Sequence, residues 1–161
     1  MKILQYLFIS LSHKILKILP YRLIRLLSVP IGTLYFLLTF RSSIKLFKRR
    51  KIFEKLKINY KPLIVKINYT RYWLETLWLT NKNFSKHITP HIEIENQEYV
   101  DKLKKQYPGL IFALPHLGNW EFAIPVGNSI KLNLLAVAEP LNNSYVLNWF
   151  KSLRESLGIE I

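Results

Sequence analysis

Cysteine is absent from the chain. Its absence excludes disulfides, a thiolate nucleophile and any cysteine-ligated metal. Acidic residues are missing from the first 53 positions, although eleven cations (Lys2, Lys14, Lys17, Arg22, Arg25, Arg41, Lys45, Lys48, Arg49, Arg50 and Lys51) fall there. An unambiguous spanning segment is missing as well. The charge-free run at residues 26–40 is shorter than the roughly 20 residues that cross a bilayer, and Pro30 and Gly32 interrupt it. No small-residue cleavage site follows an early apolar core, which argues against a removed signal peptide. The four histidines are scattered, and no metal and no cofactor is implied.

What is present is apolar and basic. Half of the 161 residues are hydrophobic, enough for about one packed domain and too many for a disordered chain. The formal charge of +14 calls for an anionic partner, nucleic acid or a lipid surface. In the N-terminal third the cations alternate with Leu, Ile and Phe. A membrane-surface helix has this pattern, and no nucleic-acid-binding motif accompanies it, so no nucleic acid is expected. Leu4, Leu7, Phe8, Leu11, Ile15, Ile18 and Leu19 recur at helical spacing, with a break predicted at Pro20. Residues 26–40 read as a helix lying in or dipping into the membrane interface, a single spanning anchor being possible if its ends snorkel. Residues 41–61 read as a basic, partly helical connector. The segment "VKINYTRYWLETLWLT" then reads as an aromatic-rich helix whose Trp73, Leu74, Leu77 and Trp78 serve the core.

After Thr80 the pattern changes. "HITPHIEIENQ" alternates as a strand does, "EYVDKLKKQ" is a short helix, and "GLIFALPH" is a continuous apolar run typical of a buried strand. "NWEFAIPVGNSI" follows as a short helix, "LNLLAVAEP" as a second buried strand, and "NNSYVLNWFKSLRESLG" as a helix with Asn or Ser caps and Gly158 at its end. "GIEI" begins a further strand. The predicted class is α/β: membrane-associating helices in residues 1–53, then a helix-flanked mixed sheet in residues 54–161.

The chemistry concentrates in "ALPHLGNWEFA". His116 falls where an apolar strand ends, the place where open α/β sheets keep functional groups. Gly118 permits a tight turn, Asn119 can cap the next helix, and Glu121 in its first turn can face back to His116. A carboxylate on one ring nitrogen raises the basicity of the other, which can then take a proton from an alcohol attacking an acyl carbon. No Ser or Cys nucleophile is close, so direct transfer fits better than an acyl-enzyme. The helix N-terminus offers amides to a developing oxyanion. On residues alone, a His and a Glu five positions apart fit a packed structural turn as readily as a catalytic pair.

"HLGNWE" resembles the H-x4-D/E motif of the lysophospholipid-acyltransferase superfamily. "ALPHLGNWEFA", "AVAEPL" and "FKSLRESLGIEI" resemble, in order and spacing, the branch that holds lipid A biosynthesis lauroyl and myristoyl acyltransferases and phosphatidylinositol mannoside acyltransferases. "RYWLET" resembles the segment ahead of their sheet, and "VAE" with "LRESLG" leans toward the mannoside type. The resemblance implies acyl transfer from a thioester donor, acyl-CoA or acyl carrier protein, to a hydroxyl of a membrane glycolipid. It implies His116 as general base, Glu121 as its partner, and Glu139, Arg154 and Asn119 organising the site and its substrates. The implied location is the cytoplasmic face of the bacterial inner membrane, on an anionic lipid surface. Members of the branch are much longer, so the chain is expected to be a truncated, N-terminal half. The alternative expectation is a non-catalytic membrane-surface protein that binds anionic lipid.

Overall fold

A computed structural model describes residues 1–40, 55, 57, 61–137 and 139–161 of the chain. The first helix, α1 (Lys2–Leu16), ends ahead of Pro20, whose fixed φ of −63° and extended ψ of 141° turn the backbone into α2 (Tyr21–Leu38). Pro30 and Gly32 do not interrupt α2, contrary to the sequence expectation. The helix is continuous over 18 residues, about 27 Å at 1.5 Å per residue, and is long and apolar enough by length and composition to cross a membrane. The basic connector and the expected boundary between residues 53 and 54 lie outside the described residues, apart from Lys55 and Lys57.

Helix α3 (Pro62–Trp78) opens with proline in its first turn, where a missing N–H costs nothing. It packs antiparallel to α2: Tyr21 meets Glu75, Ser28 meets Arg71, Gly32 meets Ile67, and Tyr35 stacks on Tyr69. Gly32 sets the closest approach. A Cβ there would lie 2.6 Å from the Ile67 Cα, inside any allowed contact.

The main core gathers Leu16, Ile24, Leu74, Leu77, Trp78, Leu79, Phe84 and Ile88. Trp78 is fully buried, and its indole N–H donates to the Leu19 carbonyl at 2.8 Å, which satisfies the polar edge of the largest core side chain. Three of the four residues expected in this core, Leu74, Leu77 and Trp78, are in it. The fourth, Trp73, packs half-buried against a second cluster of Val146, Phe150 and Leu153. Leu16 and Ile24 belong to the first cluster, and Tyr6 and Ile9 of α1 pack against the second, so the N-terminal helices are tied to later chain. His13 shares a 2.7 Å hydrogen bond with Thr80, and Asn143 donates to the Lys2 carbonyl at 2.9 Å.

The remaining elements are α4 (Phe84–His87), a 3-10 turn at Thr89–His91, α5 (Gln97–Gln106), a 3-10 turn at Trp120–Phe122, α6 (Ala123–Ser129), β1 (Leu134–Leu135), α7 (Ser144–Ser156) and β2 (Ile159–Glu160). Strands β1 and β2 pair in parallel, Leu134 on Ile159 and Leu135 on Glu160, with α7 as the crossover. Asn143 caps α7 by accepting from the Tyr145 amide at 3.2 Å, and Gly158 takes φ +88° at the exit, as the cap signals predicted.

The sheet is smaller than the sequence predicted, and parallel rather than mixed. "HITPHIEIENQ" forms a 3-10 turn and extended chain; Ile92 and Ile94 still face inward while Glu93 and Glu95 face out, so the alternation set burial without setting a ladder. "GLIFALPH" and most of "LNLLAVAEP" are not strands either, and Ile111 and Val137 are fully exposed. A strand exists only where a neighbour takes its N–H and C=O groups; among the described residues "GLIFALPH" has none, and "LNLLAVAEP" has one only where Leu134 to Ala136 run beside β2.

Gly32→Ala tests the helix contact. In an ordinary helix interior that exchange stabilises by about 0.5–1 kcal/mol. Here it is expected to destabilise by about 1–3 kcal/mol, because the added methyl must push Ile67 away. Gly109→Ala, with nothing within 4 Å of its Cβ position, is the control. Thermal melts of both variants in the same detergent read the difference.

Candidate active site

Asn68, Arg71, Tyr72 and Glu75 recur at i, i+3, i+4 and i+7 and therefore share one face of α3. Opposite that face lies the turn carrying His116, Gly118, Asn119 and Trp120. Between them is an open cleft of about 460 Å³ lined by both sets of residues and by Tyr69. Gly118 has φ +61°, the left-handed region that a residue with a Cβ enters at a cost, so the chain reverses there.

Asn119 holds the turn from both ends. Its Oδ1 accepts from the Glu121 amide at 3.2 Å, which caps the 3-10 turn as predicted. Its Nδ2 donates to Glu75 Oε2 at 3.3 Å. Glu75 is itself buried, with 6% exposure, and its Oε1 accepts from the Tyr21 hydroxyl at 3.0 Å. A chain of hydrogen bonds thus runs from α2 through α3 to the His116 turn.

Glu121 is 2% exposed. Its carboxylate pairs with Arg154 of α7, which donates from Nη2 to Oε1 at 2.6 Å and from Nε to Oε2 at 3.2 Å. The expected direct bond from Glu121 to His116 is not among the hydrogen bonds of the described residues. The physical reason is the competition for a buried carboxylate: a guanidinium offers two parallel charge-assisted bonds where an imidazole offers one. The Tyr72 hydroxyl also points to Glu121 Oε1, at a long 3.5 Å. Burial, and then the neighbouring Glu121 charge, pushes the Tyr72 phenol up to about 12. The Glu121 hydrogen bond raises the Arg154 guanidinium above its ordinary value.

His116 is exposed on the cleft. Its ring meets Trp120 edge-on, centroids 4.5 Å apart at 72°, and Trp120 in turn stacks on Tyr72 at 4.4 Å. No hydrogen bond within the described residues occupies either ring nitrogen, so both are open to a ligand in the cleft. Four of the five sequence-predicted residues, His116, Asn119, Glu121 and Arg154, therefore come together, though in an order the sequence did not predict. Glu139 does not join them: it is exposed in irregular chain beyond β1, and no described contact links it to His116 or Glu121. Glu75, Arg71 and Tyr72 are further residues at the cleft that the sequence does not single out as chemistry. Their helical spacing was the available signal, but it does not say what the face meets. Among the described residues no three His, Asp or Glu side chains group as metal ligands.

The family model of bacterial lipid A biosynthesis acyltransferases matches residues 1–161. No curated protein and no solved structure matches the chain.

Two measurements test this geometry. Arg154→Met strands Glu121 in a dry site and is expected to cost about 3–5 kcal/mol of stability, part of which returns when Glu121→Gln is added. Denaturant unfolding of the single and double variants reads this. The second concerns Tyr72. Its phenol pKa is raised on folding, so the folded state holds the proton more tightly, and that stabilisation is lost as pH rises from 10 to about 12. Tyr72→Phe is expected to lose stability less steeply over that window in melts run across it.

Proposed function

The chain belongs to the bacterial lipid A biosynthesis acyltransferase family, and on that premise we propose that it moves a fatty acyl group from a thioester donor, acyl-CoA or acyl carrier protein, to a hydroxyl of a membrane glycolipid. The observation that carries this reading is the placement of His116: it faces an open cleft with neither ring nitrogen hydrogen-bonded among the described residues, on a turn held from below by Asn119, Glu121 and Arg154.

In the proposed reaction His116 removes the proton of the acceptor hydroxyl as its oxygen attacks the thioester carbonyl carbon. A C–O bond forms and the carbonyl oxygen takes the negative charge. Collapse of that intermediate breaks the C–S bond, and the imidazolium returns its proton to the leaving thiolate. Glu121 acts with Arg154 by fixing the turn rather than by touching the imidazole. Glu139 keeps a proposed place near the substrate only through the family resemblance.

The N-terminal helices supply the proposed membrane contact. Leu4, Leu7, Phe8 and Leu11 of α1 and Leu26, Leu34 and Leu37 of α2 are exposed, and basic residues flank them. Each cation near an anionic leaflet is worth about 1 kcal/mol, so this region would hold the protein where a glycolipid acceptor lies. A cytoplasmic-face location follows from the side on which thioester donors are made.

His116→Ala reads the proposal. In anionic vesicles supplied with acyl-CoA or acyl carrier protein and a glycolipid acceptor, acyl transfer is expected to fall by about 10²- to 10⁴-fold while vesicle binding persists. Full transfer by the variant would remove His116 from the mechanism. Vesicle binding by the unaltered chain with no transfer from either donor would support the non-catalytic membrane-surface reading instead.

A further inference from the structure

The cleft has a second functional group besides His116. Arg71 lies on the α3 wall, half-buried, with its Nε donating to the Oγ of Ser28 at 3.4 Å. Ser28 is fully buried on α2, so the bond anchors the root of the guanidinium to the helix pair. The other guanidinium nitrogens have no acceptor among the described residues, and no carboxylate there lies within ion-pair distance of them. The carboxylate next along the same helix face, Glu75, is already occupied by Tyr21 and Asn119. A half-buried guanidinium with an open fork is costly to keep unless something anionic comes to it. The Asn68 amide, one helical turn before it, lines the same cleft and adds two further donors.

We propose that Arg71, with Asn68 beside it, is a subsite for a phosphate ester of the substrate whose reacting group is presented to His116. The inference rests on the acyl-transfer reading for the identity of that substrate. A guanidinium fork matches two phosphate oxygens, and such charge-assisted bonds outlast the water exposure of an open cleft better than a single ammonium contact does. Two substrates of the proposed reaction can bring a phosphate ester: the glycolipid acceptor, and the phosphopantetheine arm of the thioester donor. Tyr69, Tyr72 and Trp120 line the rest of the cleft with flat apolar surface suited to the neutral part of either one.

The test is binding of matched ligands to the full chain in nanodiscs. One pair is a lipid A-type phosphoglycolipid and the same lipid after phosphatase treatment. The other is an acyl-phosphopantetheine thioester and the acyl N-acetylcysteamine thioester, which lacks the phosphate. The unaltered chain is expected to prefer the phosphate-bearing member of one pair by roughly 10- to 100-fold, and Arg71→Gln to abolish that preference with little change for the other member. The pair that shows the preference identifies the source of the phosphate. Arg71→Lys, which keeps the charge and loses the fork, is expected to retain part of it and serves where Arg71→Gln does not fold. No preference in either pair, or one that survives Arg71→Gln, overturns the subsite. Acyl transfer is scored separately. Transfer without any phosphate preference removes the subsite and leaves the proposed function, whereas preference without transfer does the reverse.

Discussion

Glu121 is a carboxylate with almost no access to water, and such a group remains charged only if another charge comes to it. Arg154 does so from α7 with both arms of its guanidinium. The pair therefore joins two parts of the chain that no extended sheet connects: the turn after His116, and the helix that links the two short strands. Removing either partner would strand the other. Much of the local arrangement serves this contact. The Asn119 cap fixes the Glu121 amide, the Phe150 ring lies beneath the Arg154 guanidinium at 5.5 Å, and Tyr72 closes the remaining side.

A second polar chain runs at right angles in purpose to the first. Tyr21, Glu75 and Asn119 connect the N-terminal helix pair to the same turn. The turn is thus held from α2, α3 and α7 at once, and His116 stands above these supports with neither ring nitrogen hydrogen-bonded among the described residues. In the proposed reaction His116 accepts a proton and releases it, and this division of labour keeps support apart from chemistry. The buried Glu121 carboxylate is already satisfied by Arg154, while the exposed imidazole is left facing the cleft. In the proposed reaction the N-terminal helices would do two jobs, holding the membrane surface and bracing the catalytic turn through Tyr21.

The sequence carried much of this in its local signals. Pro20, Asn143 and Gly158 mark real helix ends, and the helical readings at residues 4–19, 26–40 and 65–80 fall largely on α1, α2 and α3. The motif around His116 singled out three residues of this turn, His116, Asn119 and Glu121, and the separate resemblance of "FKSLRESLGIEI" singled out Arg154, which meets Glu121. The long apolar runs misled because a strand is a relation between two segments, and a run such as "GLIFALPH" says nothing about whether a partner is at hand. Pro30 and Gly32 misled for a related reason. Each lowers helix propensity alone, but Gly32 makes room for Ile67, and that packing outweighs the propensity cost.

By itself the sequence determined the family, the absence of thiol chemistry, the cationic and apolar character of the N-terminal third, and the place of the His116 turn, since these depend on composition and on residues close together in the chain. Only the tertiary structure decided which partner Glu121 takes, that Glu75 supports the site, and that Arg71 opens onto the same cleft as His116. Those contacts join residues 33 to 54 positions apart. Over such separations the pairing of a carboxylate depends on which donor the packed helices bring within reach.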